Sequence, residues 1–159
     1  MSTSPSAGRR PRPPLPCDAG GADALELEIP SDVERIEGVV DAIVARCAAR
    51  AYPRALCALN VPVALSEALA NAILRGNRED AAKRVRVRAC VDTEALVVEV
   101  EDEGAGFDYA VCYHDPTAPD RIEREDGRGL YLMHTLMDDV ELFAADGGGT
   151  VVRLTLQRA

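Results

Sequence analysis

Two polar residues, one helical turn apart, interrupt an otherwise apolar segment of the chain. Glu67 and Asn71 lie four residues apart among alanine, leucine and isoleucine in the run VALSEALANAILR. Residues at this spacing project from the same face of a helix. A carboxylate and an amide in so apolar a helix either face solvent or serve a functional site. The same pair also suits a solvated helix face, so the spacing alone leaves both interpretations open.

A second candidate is an acidic residue on the inward face of a predicted strand. Counting by twos from Leu96 places Asp102 with the core residues, where an ionised carboxylate is costly unless a group donates to it. Gly104 and Gly106 follow, and glycine lets a backbone approach a ligand closely. By the same alternation, the hydroxyl of Thr150 faces the core. The alternatives are a plain turn after the strand and a threonine that only fills a sheet position.

A third candidate is the run Gly127-Arg128-Gly129, which precedes a predicted helix. A glycine-rich turn at a helix N-terminus offers unpaired backbone N–H groups and the positive end of the helix dipole, which suit a phosphate. The alternative is an ordinary junction between a loop and a helix.

The elements that must position these residues follow from the periodicity of apolar side chains. Alternation predicts a first strand over 25–29, and helical spacing predicts an amphipathic helix over 36–47. A second helix is predicted to begin at Asn60 as N-cap, with Pro62 in its first turn, and to end in a left-handed cap at Gly76-Asn77.

The C-terminal half reads as mostly strands. Residues 85–91 and 96–100 alternate as a β-hairpin, a long loop of residues 103–126 follows, and a short helix begins after Gly127. Two further strands lie near 140–143 and 150–156. This order predicts an α+β two-layer sandwich, with helices packed on one face of a mostly antiparallel sheet.

Composition limits the function classes. The 159 residues suit one domain, and the formal net charge of −9 disfavours direct binding to nucleic acid or to an anionic membrane. Residues 1–23 are rich in Pro, Gly, Ser and Arg and are predicted to form a disordered N-terminal tail, which leaves 24–159 as the domain. No signal sequence and no apolar run of ~18 residues is found, so a cytoplasmic protein without a membrane span is expected.

The cysteines and the arginine-rich strand are given structural interpretations. Five cysteines without a C-x-x-C pair disfavour a disulfide framework or a structural zinc site, and Cys47 and Cys57 are interpreted as buried thiols. The alternating arginines Arg84, Arg86 and Arg88 are interpreted as a solvated outer strand face, with docking of an acidic partner as the alternative.

Four segments together resemble a known family. In order, ALSEALANAILRGN, VEDEGAGFD, DGRGLYLM and GGGTVVRLTL resemble the N, G1, G2 and G3 boxes of the histidine-kinase-like (GHKL) ATPases, whose ATP-binding domain has the Bergerat fold. The resemblance covers about residues 25–157 and is closest to the anti-sigma-factor serine kinases of the RsbW and sporulation type. One departure is Arg75, which stands where the family's N box commonly has histidine.

The resemblance implies a role for each candidate residue. Glu67 would be the general base, Asn71 would hold Mg²⁺ on the ATP phosphates, and Asp102 would accept a hydrogen bond from the adenine amino group. Thr150 would complete the adenine contact. The remaining implied nucleotide-binding residues are Gly104, Gly106, Gly127, Arg128 and Gly129.

The resemblance also implies an activity. Neither His114 nor His134 lies on a helix preceding the domain, as the phosphoacceptor of a sensor histidine kinase would, and no P-loop motif is present. The expected function is that of an ATP-dependent serine protein kinase and anti-sigma factor. Its partners would be an anti-anti-sigma protein of the STAS type and a sigma factor, and homodimerisation is implied. The alternative is a non-catalytic, ATP-responsive protein-binding module of the same fold.

Overall fold

The structure, a computed structural model, describes residues 12–19, 23–105 and 125–159. Within these ranges, five strands form one sheet in the order β1-β2-β3-β5-β4, and each neighbouring pair is antiparallel. The strands are β1 (Asp23–Pro30), β2 (Arg84–Val91), β3 (Ala95–Glu101), β4 (Asp139–Ala144) and β5 (Thr150–Gln157). The predicted hairpin is confirmed as β2 and β3, because those strands pair directly.

In the described part of the chain, three α-helices cover one face of this sheet: α1 (Ile36–Ala49), α2 (Val61–Ala70) and α3 (Glu125–Leu136). Their apolar stripes meet the inward residues of all five strands in a single core cluster, which includes Ile43 of α1, Leu69 of α2 and Met133 of α3. The inward residues are those that the alternating pattern of each strand selects. The predicted fold class, helices on one face of an antiparallel sheet, is confirmed.

The helix that carries Glu67 and Asn71 is longer than its α-helical part. Two π-helical turns, Leu56–Asn60 and Asn71–Gly76, flank α2. The prediction of Asn60 as N-cap is wrong: its backbone is helical, with φ −59° and ψ −53°, and its Nδ2 donates to the carbonyl of Leu136 at 2.7 Å. The Asn60 side chain therefore connects this helix to the last turn of α3 and does not cap the start of its own helix.

The end of the same helix also differs from the prediction. Neither Gly76 nor Asn77 adopts a left-handed conformation; that conformation occurs later, at Arg78 (φ 52°) and Glu79 (φ 57°). The amide of Glu79 donates to the carbonyl of Ile73 at 2.8 Å, so the last hydrogen bond of this wide turn is made beyond Gly76. A glycine is required at position 76 because the backbone there lies very close to the Asp102 side chain.

The helical stretch Leu56–Gly76 is long and apolar enough to cross a membrane, by length and composition only. The sequence was predicted to contain no membrane span. In the fold, this stretch packs between α1 and α3 with one side in the core. Its fully buried residues are Val61, Ala64, Leu65, Ala68, Leu69 and Ile73. Its apolar composition is therefore what a central core helix requires.

Residues 12–19, here called the outer-face segment, lie on the side of the sheet opposite the helices. Leu15 is 3% exposed and packs against Cys90 and Val97, and Cys17 forms a disulfide with Cys90. This part of the predicted disordered tail is instead packed against the domain. The cysteine pattern disfavoured a disulfide framework, and a single disulfide is present among the described cysteines. Of the other described cysteines, Cys47 is buried and free as predicted, and Cys57 is free but only half-buried.

Candidate functional site

The predicted acceptor Asp102 lies directly after β3, on the helix-covered side of the sheet. It is 4% exposed, and its Oδ1 accepts hydrogen bonds from the amides of Gly104 at 2.9 Å and Thr150 at 3.2 Å. Its own amide donates to the carbonyl of Thr150 at 2.9 Å. Burial raises the pKa of the Asp102 carboxyl, while the two backbone N–H donors oppose that shift. Because both donors use Oδ1, the second oxygen remains available as an acceptor toward a ligand.

Three glycines bring backbone unusually close to this carboxylate. A Cβ atom added at Gly76 would lie 2.4 Å from Asp102 Oδ2, and one added at Gly149 would lie 1.9 Å from the Asp102 carbonyl oxygen. At Gly104 the added atom would lie 2.0 Å from the carbonyl oxygen of Gly76. Sequence reasoning selected only Gly104. The signal for the other two was their position at the ends of the N-box and G3-box segments.

The Gly149 contact predicts a clear difference between two glycines of one turn. Gly149→Ala is expected to lower the free energy of unfolding by about 1–3 kcal/mol, because the new methyl group would overlap the Asp102 carbonyl. Gly147→Ala is the matched control: an added Cβ there meets nothing within 4 Å, and a change within about 0.5 kcal/mol is expected. Chemical denaturation of both variants measures the difference; equal stabilities would contradict the packing described.

Thr150 carries a buried hydroxyl beside the same carboxylate. The residue is 1% exposed, and its Oγ1 has no hydrogen-bond partner among the described residues. An unpaired hydroxyl in such a place is unfavourable in the isolated protein. The predicted inward direction of Thr150 is confirmed, and the arrangement fits a ligand that supplies the missing partner.

Removal of this hydroxyl provides a test of that interpretation. Thr150→Val is expected to raise the free energy of unfolding of the ligand-free protein by about 1 kcal/mol, since an unsatisfied polar atom is replaced by a methyl group. The same variant should bind adenine nucleotide less tightly. Denaturation and calorimetric titration measure the two quantities. A valine variant that is both less stable and unchanged in nucleotide affinity would show that the hydroxyl has a structural role only.

Glu67 and Asn71 lie on the part of α2 and its final π turn that faces the start of α3. A Cβ atom added at Gly129, in the first half of α3, would lie 3.0 Å from Glu67 Oε2 and 3.3 Å from Asn71 Nδ2. Both side chains are half-buried. Gly129 of the glycine-rich run therefore lies next to Glu67 and Asn71, because glycine has no side chain to occupy the space beside these two polar groups. π-helical turns such as the one that begins at Asn71 often mark functional positions.

The other predicted site residues are placed less fully. Gly127 and Arg128 belong to the first turn of α3, which begins at Glu125, so the prediction of a glycine-rich turn before the helix is wrong. Arg75 is on the exposed side of the π turn, and Gly106 lies outside the described residues. His114 lies outside them as well. No group of three or more metal-binding side chains occurs in the part of the chain that the structure describes. A cation held here would therefore depend on Asn71 together with oxygens of a ligand.

Sequence reasoning missed the residue that anchors the start of the segment after β3. Asn77 is 1% exposed; its Nδ2 donates to Ser31 Oγ and to the Arg84 carbonyl, both at 2.9 Å, and its Oδ1 accepts from the Glu103 amide at 2.7 Å. This one side chain joins the helix end, β2 and the residue before Gly104. The only signal in the sequence was an asparagine after Gly76, which indicated a helix cap.

The family model for the histidine kinase-like ATPase domain matches residues 29–156, which include nearly all of the elements described above except the outer-face segment and the first part of β1. The chain belongs to the histidine kinase-like ATPase family. Among curated relatives, the serine-protein kinase RsbW of Bacillus subtilis (strain 168) is 33% identical over 140 residues, covering 84% of this chain and 85% of the relative. The anti-sigma F factor of Thermoanaerobacter sp. (strain X514) is 32% identical over 120 residues, covering 75% and 83%.

ATP is the ligand that this family implies, and the described residues of this histidine kinase-like ATPase domain fit it. An acceptor carboxylate and an orphaned hydroxyl lie at the end of β3 and the start of β5, and an adenine ring has polar groups that could pair with both. The half-buried Glu67 carboxylate and Asn71 amide lie beside Gly129. The end with Asp102 and Thr150 thus suits the adenine ring, and the end with Glu67, Asn71 and Gly129 suits phosphates and a cation.

Proposed function

We propose that this protein is an ATP-dependent serine protein kinase that acts as an anti-sigma factor in a partner-switching system. The observation that carries the proposal is the joint approach of Glu67 and Asn71 to Gly129, because it brings a base and a cation ligand to the glycine-rich helix start. The names of the relatives, a serine-protein kinase and an anti-sigma factor, support the same activity.

In the proposed reaction, each residue of the site has one task. Asp102 Oδ2 and Thr150 Oγ1 bind the adenine edge, and the glycines around Asp102 allow the close approach of the ring. The Glu67 carboxylate accepts the proton of a serine hydroxyl of the partner protein, which orients that oxygen toward the terminal phosphate. Phosphoserine and ADP are the products.

Charge on the transferred phosphoryl group requires positive groups at the other end of the site. Asn71 would hold Mg²⁺ through its amide oxygen, and the ion would neutralise part of the phosphate charge. Gly127, Arg128 and Gly129 at the start of α3 provide backbone N–H groups and a guanidinium for the phosphates. Gly106 belongs to the proposed set through the family motif.

The partners proposed are a small anti-anti-sigma protein of the STAS type, which receives the phosphate on serine, and a sigma factor. The protein acts in the cytoplasm without contacting nucleic acid directly, since its net charge of −9 opposes phosphate binding over a large surface. A homodimer is part of the proposal through the family resemblance.

The deciding experiment is a phosphoryl-transfer assay with purified protein, labelled ATP, Mg²⁺ and the candidate STAS-type partner encoded nearest to its gene. One phosphoserine on the partner is expected, located by mass spectrometry, and a partner with that serine replaced by alanine is the matched control. ATP-dependent release of a bound partner without any transfer would instead favour a non-catalytic binding module.

A further inference from the structure

The outer-face segment lies across the two strands that lead to the nucleotide site. Its disulfide connects Cys17 to Cys90 of β2, over a sequence separation of 73 residues and a Cα–Cα distance of 5.6 Å. Leu15 of the segment covers the same strand pair from the outside, next to Val97 of β3. The segment is thus fastened to β2 and covers part of β3, whose end carries Asp102.

Polar contacts of the segment converge on one buried carboxylate. Glu99, on the outward face of β3, is 2% exposed and pairs with Arg153 of β5 at 2.7 Å. Arg12 of the outer-face segment lies 3.6 Å from Glu99 and 3.3 Å from Glu101, and the Pro13 carbonyl accepts a hydrogen bond from Arg153. Removal of the segment would return water to this ion pair.

The noncovalent contacts described for the segment are modest. Among residues 12–17, Leu15 is the one buried residue, whereas Pro13, Pro14 and Pro16 are exposed, and the Arg12 ion pairs lie partly in solvent. Burial of one leucine, the partly solvated ion pairs and the hydrogen bond from Arg153 to the Pro13 carbonyl together offset only part of the entropy lost when a chain terminus is ordered. The disulfide therefore determines whether the segment stays in place.

The two cysteine residues differ in exposure. Cys17 is half-buried, whereas Cys90 lies beneath the segment and is 2% exposed. Cys17 is therefore the more accessible target of an attacking thiolate, and access is one of the factors that control thiol–disulfide exchange. The main core lies on the opposite face and includes neither cysteine, so cleavage of this bond leaves the helix-and-sheet packing intact.

We infer that Cys17 and Cys90 form a reversible thiol–disulfide switch that fastens or releases the outer-face segment. For closing, the Cys17 thiolate attacks a low-molecular-weight disulfide such as glutathione disulfide and releases one thiol. The Cys90 thiolate then attacks the Cys17 sulfur of the mixed disulfide and releases the second thiol. Two protein thiols are oxidised and one small disulfide is reduced to two thiols. Excess thiol reverses both steps and uncovers Cys90, Val97 and the Glu99–Arg153 pair.

The test uses the full chain with Cys112→Ser, so that a cysteine outside the described residues cannot exchange into the pair. The protein is equilibrated in glutathione buffers of graded ratio, quenched, alkylated and mapped by mass spectrometry. The expected result is a Cys17–Cys90 linked peptide whose fraction falls from nearly complete to nearly zero across the series. Absence of the linked peptide at every ratio, or its full retention in the most reducing buffer while the protein stays folded, would overturn the switch.

A second measurement separates fastening by the disulfide from fastening by the other contacts. Cys17→Ser is compared with reduced Cys57→Ser, so that Cys90 is a free thiol in both, and the alkylation rates of Cys90 and Cys47 are followed under native conditions. In both proteins Cys90 is expected to react at least tenfold faster than the buried Cys47. Cys47 is an internal reference, because burial raises its pKa to about 12 and keeps it unreactive. Continued protection of Cys90 in Cys17→Ser would show that the segment needs no disulfide, and the inference would fail.

Discussion

Replacement of Glu67 by glutamine is expected to lower the rate of serine phosphorylation by roughly 10²–10⁴-fold while leaving nucleotide affinity nearly unchanged. Glutamine keeps the size of the side chain beside Gly129 but cannot accept the proton of the serine hydroxyl. Because the proposed adenine partners Asp102 and Thr150 lie at the sheet and not on the helix that carries Glu67, binding of the adenine ring should not depend on this change. Single-turnover transfer and calorimetric nucleotide binding measure the two quantities separately.

The matched control for this prediction is Glu37→Gln, which removes the same charge from an exposed position on α1. Its transfer rate should equal that of the unchanged protein. If Glu67→Gln transfers phosphate at an unchanged rate, the carboxylate is not the base. If it loses nucleotide binding in parallel with transfer, the residue has a binding role instead, and the proposed division of the site between base and adenine partners is wrong.

Much of the candidate site could be predicted because it depends on short-range periodicity. The period of two residues in β3 and β5 is sufficient to turn Asp102 and Thr150 inward, and both are buried. The four-residue spacing of Glu67 and Asn71 similarly holds along one helix face, even though the helix changes to a π turn at Asn71. Periodicity therefore predicts the direction of a side chain relative to its own helix or strand.

Contacts between distant elements could not be obtained in that way. Three such contacts depend on how the helices are placed on the sheet. Gly76 lies close to Asp102, Asn77 connects the helix end to β2, and Asn60 binds the end of α3. An asparagine at a helix start and one after a glycine have the local composition of caps, so local rules assigned both of them to caps. Tertiary hydrogen bonds use them instead.

The N-terminal region shows why composition is a weaker guide than pattern. Proline, glycine and arginine in residues 1–23 are typical of disorder, yet one leucine and one cysteine are enough to place residues 12–19 on the sheet. An odd number of cysteines excluded complete pairing but not a single disulfide. The pairing of Cys17 with Cys90 is a consequence of strand position, because Cys90 alternates outward from the core residues Ala89 and Val91.

The second large effect is expected from Asp102→Asn, which should weaken adenine-nucleotide binding by roughly 10²-fold, the equivalent of a lost hydrogen bond to a charged group. The asparagine Oδ1 can still accept from the amides of Gly104 and Thr150, so the backbone arrangement is retained. Its Nδ2, however, takes the place of Oδ2 and offers a donor where the adenine amino group also donates. Calorimetric titration with ADP measures the loss, and an unchanged affinity would remove Asp102 from the site.

The same substitution should make the ligand-free protein more stable at neutral pH, because burial disfavours the ionised form of the Asp102 carboxyl. Its pKa is raised in the folded chain, chiefly by burial, so the folded state binds the proton more tightly than the unfolded state does. The wild-type free energy of unfolding therefore falls as pH rises from the ordinary aspartate value of about 3.9 toward the raised one. The asparagine side chain of the variant has no such titration, so the advantage of the variant should be present at pH 7 and disappear near pH 3. Denaturant titrations of both proteins at the two pH values measure this. A variant that is less stable at pH 7 would mean that the ionised carboxylate stabilises the empty fold, and the argument from its burial would be wrong.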